Sequence, residues 1–551
     1  MRLALAQVNA TVGDLAGNRR RIEAMARRAA EQGADLVVFP EMVVTGYPPM
    51  DLLQREGFVR DQLREIEALH DASRRVAIAL GAVVPVARSG PRHLANAVIL
   101  LAEGREVAVQ AKTLLPTYDV FDESRYFVPA ERREVVRLPG SRTPLGLTVC
   151  EDGWSERMGY AVDPVGDLAE QGARLVLNPS ASPWHWGKPL ERRQMLADLA
   201  RKHGVPIAFV GQVGGNDELI FDGSSFVVDA RGRIRAALPA FEEALAVVDL
   251  EAPPLDLSPE DVEEPEGPAQ LEAALVLGIR DYYEKQGLPK RAVIGLSGGI
   301  DSAVVAHLAV RALGAEGVLG VLMPGPFSSE HSVRDALALA RNLGIETRTA
   351  DIRPIYERYL EVFAGLFGSH TSWGLTGQNI QSRTRGAILM ACSNQERRLV
   401  LCTGNKSELS VGYVTLYGDM VGGLAVIGDV YKTDVYALAR YANRDGERIP
   451  QSSIDKAPSA ELAPGQHDAD DLPPYDQLDF VLRQLIEEQR SGEAVAAPPG
   501  ARAGLAREIE RRVDRNEFKR RQGPLVLRTS TRAFGSGRRL PIVQRYPGAG
   551  A

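Results

Sequence analysis

Apolar residues arrive along this chain in short runs broken by polar, Gly- and Pro-bearing stretches. In the first half such runs lie at 3–8, 36–39, 76–84, 94–101, 107–111, 145–150, 175–177 and 205–210, and each predicts a β-strand. Between them, 18–31 and 189–202 carry Ala, Arg, Glu and Leu in amphipathic spacing and predict helices. Turn signals at 102–105 and 230–233 predict antiparallel hairpins, so the sheet is expected to be mixed. Beyond 270 the order changes. A helix over 271–286 precedes a strand at 292–296, a helix at 303–312, a strand at 317–323, a helix at 333–342 and a Thr-rich strand ending before Asp351. That alternation predicts an α/β doubly wound parallel sheet, with ligands at the carboxyl ends of its strands. Residues 251–270, EAPPLDLSPEDVEEPEGPAQ, are dense in Pro and Glu and read as a linker. Domains are therefore expected at 1–250 and 271–551, with no internal repeat relating them.

Composition narrows the class. With 551 residues, 44% of them apolar and 25% charged, the chain is long enough for more than one core and is not disordered. A net charge of −7 argues against a nucleic-acid-coating protein. The amino terminus is apolar too briefly for a secretory signal, and no run reaches membrane-spanning length, so a cytoplasmic protein without membrane partners is expected. Cys150, Cys392 and Cys402 make neither a disulfide framework nor a zinc spacing.

The loop after the strand at 292–296 carries the first chemistry. It reads Gly295, Leu296, Ser297, Gly298, Gly299, Ile300, Asp301, Ser302, and an apolar helical run follows. Adjacent glycines admit an anion close to the backbone, the serines donate hydroxyl hydrogen bonds, and a helix amino terminus adds oriented N–H groups. The loop is suited to phosphate, yet it lacks the Walker lysine and contains a carboxylate, Asp301, which implies a bridging Mg²⁺. SGGIDS resembles the signature of the ATP pyrophosphatases. That resemblance implies attack of a substrate oxygen on the α-phosphorus of ATP with release of pyrophosphate, and leaves the substrate open.

Three polar residues stand where strands of the first half end: Glu41 after LVVFP, Lys112 after VAVQA, and Cys150 after LGLTV. Singly, a loop charge, a solvated strand edge and a small core residue would explain them. Together, a thiol, a carboxylate and an ammonium can perform acyl transfer without a histidine. FPE, KTLLP and VCEDGW in this order resemble the nitrilase superfamily over roughly residues 1–250. The resemblance implies an αββα sandwich in which Cys150 is nucleophile, Glu41 general base and Lys112 transition-state stabiliser. KTLLPTYDVFDESRYF and NPSASPWHWGK further resemble the glutamine-hydrolysing domain of NAD synthetases, which implies that Tyr118, Ser182 and Lys188 hold glutamine. Glu151, beside the nucleophile, could pair with the α-ammonium of the substrate.

In the second half, Asn379 and Arg383 fall four apart on a helical run and share a face. Glu408, in TGNKSE, offers a second carboxylate for Mg²⁺. SGGIDS, NIQSRTR, TGNKSE, GDVYK and PSAEL, in order, resemble the NAD synthetases over roughly 270–540. The resemblance implies ATP contacts at 295–302, Thr403, Lys432 and Ser459, Mg²⁺ at Asp301 and Glu408, and deamido-NAD contacts at Asn379, Arg383, Glu408 and Lys519. Leu416, Gly423 and Phe518 depart from the pattern of the ammonia-only members. The whole is expected to be a glutamine-dependent member of that family, with ATP, deamido-NAD and L-glutamine or ammonia as small-molecule partners and the synthetase half building a homo-oligomer. Two alternatives stay open: another glutamine-fed ATP pyrophosphatase such as a GMP synthetase, and an ammonia-only synthetase whose nitrilase-like half is a silent module.

Overall fold

The computed structural model describes residues 1–87, 93–252, 257–370 and 372–544. The chain divides into two compact units, Met1–Pro265 and Glu266–Ala551. The first contains two six-stranded sheets. One is ordered Ala244–Asp249, Arg2–Gln7, Leu36–Val38, Ala77–Pro85, Leu94–Ala102, Arg105–Ala111; the other Ile234–Ala237, Phe226–Val228, Ile207–Gly211, Leu175–Ser180, Pro144–Leu147, Val136–Arg137. In each, the middle strands pair in parallel and the outer ones antiparallel. The expected mixed sheet is thus present twice.

Strand alternation explains why the sheets stack. Leu3, Leu5, Leu36, Val38, Val98 and Leu100 project to one side and meet Leu145, Leu147, Leu175, Leu177, Ala208 and Val210 of the other sheet. Their neighbours Ala4, Ala6, Val37, Ile78 and Leu80 project to the opposite side and bury Ile22, Met25, Ala26 and Ala29 of the helix Leu15–Glu31. Beyond the second sheet, Val176, Ile207 and Phe209 are covered by Leu196, Leu199 and Ala200 of the helix Lys188–His203. The result is an αββα sandwich, in which each buried Leu or Ile contributes roughly 1.5–3 kcal/mol of transfer free energy. Both helices have local stops and starts. Asp14 caps the first through Gly17 N, and Gly204, in the left-handed region, ends the second behind Arg201, Lys202 and His203. The Pro- and Glu-rich stretch read as a linker lies partly outside the described residues. Its later part packs on the second helix, where Arg193 donates to Pro259 O and pairs with Glu264 at 2.5 Å.

The second unit is built on a six-stranded sheet ordered Glu346–Thr349, Val318–Leu322, Ala292–Gly295, Leu399–Cys402, Leu424–Ala425, Leu525–Val526. Every pairing is parallel. The chain builds outward from Ala292–Gly295 in one direction, then returns to Leu399–Cys402 and builds outward in the other. The switch point lies between those two strands, so the loops after both open one crevice. Among the described residues no helix is long and apolar enough to cross a membrane.

Candidate functional sites

In the first unit, strand ends deliver Glu41, Lys112 and Cys150 to one buried place. Glu41 follows the short strand Leu36–Val38, Lys112 follows Arg105–Ala111, and Cys150 opens a tight helical turn, Cys150–Trp154, behind Pro144–Leu147. Lys112 Nζ lies 2.9 Å from Glu41 Oε1 and 2.8 Å from Glu123 Oε1, with all three side chains at most 5% exposed. Asn96 Nδ2 donates to Glu41 Oε1 at 2.6 Å, and Ala181 N donates to Glu41 Oε2 at 2.8 Å. Tyr47 OH donates to Glu123 at 3.0 Å. Gly81 makes room for this, since a Cβ there would lie 2.4 Å from Glu41 Cα.

Cys150 itself has φ +43°, a left-handed conformation unusual for a side-chain-bearing residue and of a kind found at active-site turns. Asp152 locks the turn. Its carboxylate accepts from Val149 N on one side and from Thr113 N and Leu114 N on the other, joining the chain on either side of Cys150 and Lys112. Burial, then the Glu41 charge, pushes the Cys150 thiol well above its usual range, with Lys112 working against them. Burial also lifts Glu123 to about 7, although Lys112 opposes the shift. For Lys112, burial acts to lower the pKa, but Glu123 and Glu41 overcome it and hold the ammonium protonated. Burial and charge thus favour the thiol form of Cys150 and the ammonium form of Lys112.

The residues expected to hold glutamine lie next to it. Tyr118 OH and Tyr160 OH both donate to Glu151 Oε1, at 2.9 and 3.1 Å. Burial raises the Glu151 pKa, with Lys112 and the two phenols opposing. Lys188 Nζ stands 3.8 Å over the Trp154 ring, and Ser182 is buried. Sequence reasoning missed Glu123, Asn96 and Tyr160. Asn96 is the one polar residue of LANAVILLA, a strand buried throughout, and Glu123 sits in the quoted stretch FDESRYF. Both signals were available.

In the second unit, the crevice at the switch point is lined by Gly295, Leu296, Ser297, Gly299, Ile300, Asp301, Ser302, Thr403, Glu408, Lys432 and Ser459. Gly298, at φ +78°, sits against the helix Glu330–Leu343, where a Cβ would fall 2.2 Å from Ser332 O. Only glycine fits there. Ser297 Oγ accepts from Gly299 N and meets Ser302 Oγ at 3.2 Å, so the loop is closed by its own hydroxyls. Lys432 Nζ lies 2.5 Å from Asp301 and 3.4 Å from Glu408, while Asn405 Nδ2 donates to Asp301 Oδ1 at 2.9 Å. Burial, then the Asp301 charge, lifts Glu408 to about 8, with Lys432 opposing. Asp468 also lines the crevice and accepts from Tyr475 OH. Ser459 Oγ donates to Gln466 O.

Asn379, Arg383 and Lys519 are not among the lining residues. They gather instead on the loop that leaves the helix Lys406–Val411, the helix carrying Glu408. Thr415 Oγ1 donates to Asn379 Oδ1, Arg383 Nε donates to Leu416 O, and Lys519 Nζ donates to Gly412 O and Val414 O. One face of the helix Gly374–Glu396 thus supplies Asn379 and Arg383, as their spacing required.

Comparison with known proteins covers both units. Residues 271–523 match the family model described as NAD synthase, and residues 2–255 match that of carbon-nitrogen hydrolase. Over 99% of both chains the sequence is 45% identical to the glutamine-dependent NAD(+) synthetase of Synechocystis sp. and 41% identical to that of Thermotoga maritima. Among solved structures, the glutamine-dependent NAD+ synthetase of Acinetobacter baumannii in complex with adenosine diphosphate is 37% identical, covers 98% of each chain and superposes with a TM-score of 0.75. The synthetase of Cytophaga hutchinsonii, at 21% identity and a TM-score of 0.83 over 99% of this chain and 98% of that one, shares the fold.

Proposed function

The chain belongs to the glutamine-dependent NAD(+) synthetases, and on that premise we propose how its residues amidate deamido-NAD with nitrogen taken from glutamine. The observation that carries the reading is the ammonium of Lys112 held between Glu41 and Glu123 beside Cys150. Because the resting thiol is protonated, a base must take its proton as sulfur bonds to the glutamine amide carbon, and Glu41 is that base. The Lys112 ammonium stabilises the developing oxyanion. Glu41 returns the proton to the leaving nitrogen, ammonia departs, and a thioester to Cys150 remains. Water activated by Glu41 then releases glutamate and restores the thiol. Tyr118, Ser182, Lys188 and Glu151 hold the amino-acid end of the substrate.

In the second unit the loop 295–302, Thr403, Lys432 and Ser459 hold ATP. The nicotinate carboxylate of deamido-NAD attacks the α-phosphorus, pyrophosphate leaves, and ammonia displaces AMP from the adenylate to give NAD. Asn379, Arg383, Glu408 and Lys519 contact the dinucleotide. The donor set suits Mg²⁺: Asp301 and Glu408 converge on one lysine, and their mutual repulsion is part of what raises Glu408. Two carboxylates are what a cation that completes its shell with phosphate oxygens and water requires. Bound there, Mg²⁺ would supply positive charge to the polyphosphate. A cytoplasmic enzyme fits this chemistry. Exposed Ile355, Tyr359, Val362 and Leu366, a stripe on the helix Arg353–Phe367, support a homo-oligomer through this unit.

The test is NAD formation from deamido-NAD and Mg-ATP, with glutamine or ammonium chloride as nitrogen source. Wild type uses both, and Cys150→Ala loses glutamine use while keeping the ammonium-driven rate. Unchanged glutamine use by Cys150→Ala refutes the assignment.

A further inference from the structure

Asn96 stands at a place where a polar side chain is expensive. It lies in the strand Leu94–Ala102, whose nine residues are all buried, and it is fully buried itself. Residues Val98, Leu100 and Ala102, on its side of the strand, fill the layer between the two sheets. Its amide nitrogen is used twice, donating to Glu41 Oε1 at 2.6 Å and reaching Glu123 Oε2 at 3.4 Å. Its amide oxygen, Oδ1, is buried with no hydrogen-bond partner. A buried acceptor left unpaired is a standing cost to the fold, so only the NH₂ half of this amide has a use. Its main chain is engaged as well, for Asn96 O accepts from Lys112 N at 2.7 Å. One residue thereby touches both carboxylates and the backbone of the lysine between them.

We infer that Asn96 is a positioning residue for glutamine hydrolysis: its amide NH₂ holds Glu41 in place, as a donor between two carboxyl groups that adds no charge of its own. The inference rests on the reading of Glu41 as the base for Cys150. The groups facing Glu41 are Lys112 from the end of Arg105–Ala111, Glu123 from the turn Glu123–Arg125, Cys150 from the turn Cys150–Trp154, and the Ala181 N–H beyond Leu175–Ser180. Lys112 is shared, so its single charge is divided between Glu41 and Glu123. Ala181 N secures one oxygen of Glu41, Oε2, and Asn96 secures the other, Oε1, alongside Lys112. Without Asn96, Oε1 depends on the shared lysine alone, and the carboxylate is free to turn toward it and away from the thiol.

Two substitutions separate this role from packing. Asn96→Leu keeps the branching at Cγ and removes the donor, although its methyl groups are bulkier than the amide. Asn96→Asp keeps the contour but replaces the donor by a third carboxylate competing for Lys112. The full chain is assayed for glutamate release across pH, with ammonium-driven NAD formation in the same preparation as the measure of a folded synthetase unit. Asn96→Leu is expected to lower kcat with glutamine by about 10- to 100-fold, the range for losing a hydrogen bond to a charged group. KM should stay within roughly threefold, because Asn96 carries no substrate contact in this scheme. The acidic limb of its rate profile moves to higher pH, since the carboxylate form that accepts the proton has lost a donor. Asn96→Asp is expected to lose more than Asn96→Leu, and the ammonium-driven rate is unchanged in both. Should Asn96→Asp melt early, Asn96→Ser, which is too short to reach both carboxylates, is read in its place and should show the same displaced limb. A packing role predicts the reverse order, with Asn96→Asp near wild type. That order, or a wild-type pH profile in the variants, overturns the inference. Glutamine use that survives Cys150→Ala overturns instead the reading beneath it.

Discussion

Replacing Gly81 by alanine adds one methyl group at the closest approach between the strand Ala77–Pro85 and the chain carrying Glu41. The added Cβ would lie 2.3 Å from Met42 N, 2.4 Å from Glu41 Cα and 2.6 Å from Glu41 C, whereas ordinary contact begins near 3.4 Å. All three atoms are backbone, so no side chain can swing aside. The two segments are also tied by Gly81 N donating to Pro40 O and Val43 N donating to Gly81 O, both at 3.1 Å. Relief therefore requires the Glu41 segment to move by about 1 Å, which in a packed interior costs roughly 1–3 kcal/mol. Glu41 meets Lys112, Asn96 and Ala181 N at bonding distances of 2.6 to 2.9 Å, and a shift of that size breaks the set. A catalytic group misplaced by about 1 Å loses on the order of 10²-fold in rate. Gly81→Ala is thus expected to cut glutamine-driven NAD formation by about 100-fold with the ammonium-driven rate intact. A glutamine-driven rate within about threefold of wild type would show that Glu41 tolerates displacement, and with it that the tight packing behind the proposed base has no catalytic consequence.

Two further outcomes follow from the same site. Glu123 has its pKa lifted from 4.5 to about 7 by burial, so the folded chain keeps a proton that the unfolded chain has released. Stability from this group is full below about 4.5 and is lost as pH rises to about 7, by at most ~3 kcal/mol at 1.36 kcal/mol per unit. Denaturant unfolding at pH 5 and pH 8 should show the loss, and Glu123→Gln should flatten it; a slope unchanged in that variant removes Glu123 as its source. Asp152→Ala strands three backbone N–H groups, of Val149, Thr113 and Leu114. At ~1–3 kcal/mol for each buried group left unpaired, it should lower the melting temperature of this unit by on the order of 10 °C, and an unshifted melt would show that water replaces the carboxylate.

The regular elements were legible because burial imposes a period. Apolar runs marked the strands to within about three residues, as at 94–101 against Leu94–Ala102 and at 292–296 against Ala292–Gly295, and the helices at 18–31, 189–202 and 271–286 were marked by amphipathic spacing. Strands of two residues, Leu424–Ala425 and Leu525–Val526, are too short to show a period and carry no such mark. The site was legible only in part. Glu41, Lys112 and Cys150 stand at strand ends within recognisable motifs, and SGGIDS announces itself by its glycines. Asn96 and Glu123 do not stand at strand ends. Asn96 is a single polar residue among apolar ones and Glu123 is one of several polar residues in FDESRYF, so what singles each out is its partner, 55 and 11 residues away, a separation that no local pattern encodes.

Both candidate sites nevertheless use one electrostatic device. In each, a buried lysine from one element is shared by two carboxylates from two others: Lys112 with Glu41 and Glu123, and Lys432 with Asp301 and Glu408. One ammonium cannot neutralise two carboxylates in a low-dielectric setting, and burial first, then the charge of the other carboxylate, pushes one carboxyl up against the pull of the lysine, Glu123 to about 7 in one site and Glu408 to about 8 in the other. The surplus negative charge is then available for chemistry, and its surroundings decide which. Beside Cys150, whose thiol burial holds in its protonated form, the proposed use is to take up the thiol proton as sulfur attacks. Beside the glycine loop, Lys432 and the residues that open the helix Ile300–Leu313 line the same crevice, and the proposed use there is to hold a cation against the polyphosphate. A charge-conserving change such as Lys432→Arg keeps the balance but not the compact geometry of an ammonium between two carboxylates, which is why the arrangement, rather than the charge count readable from composition, sets what each unit does.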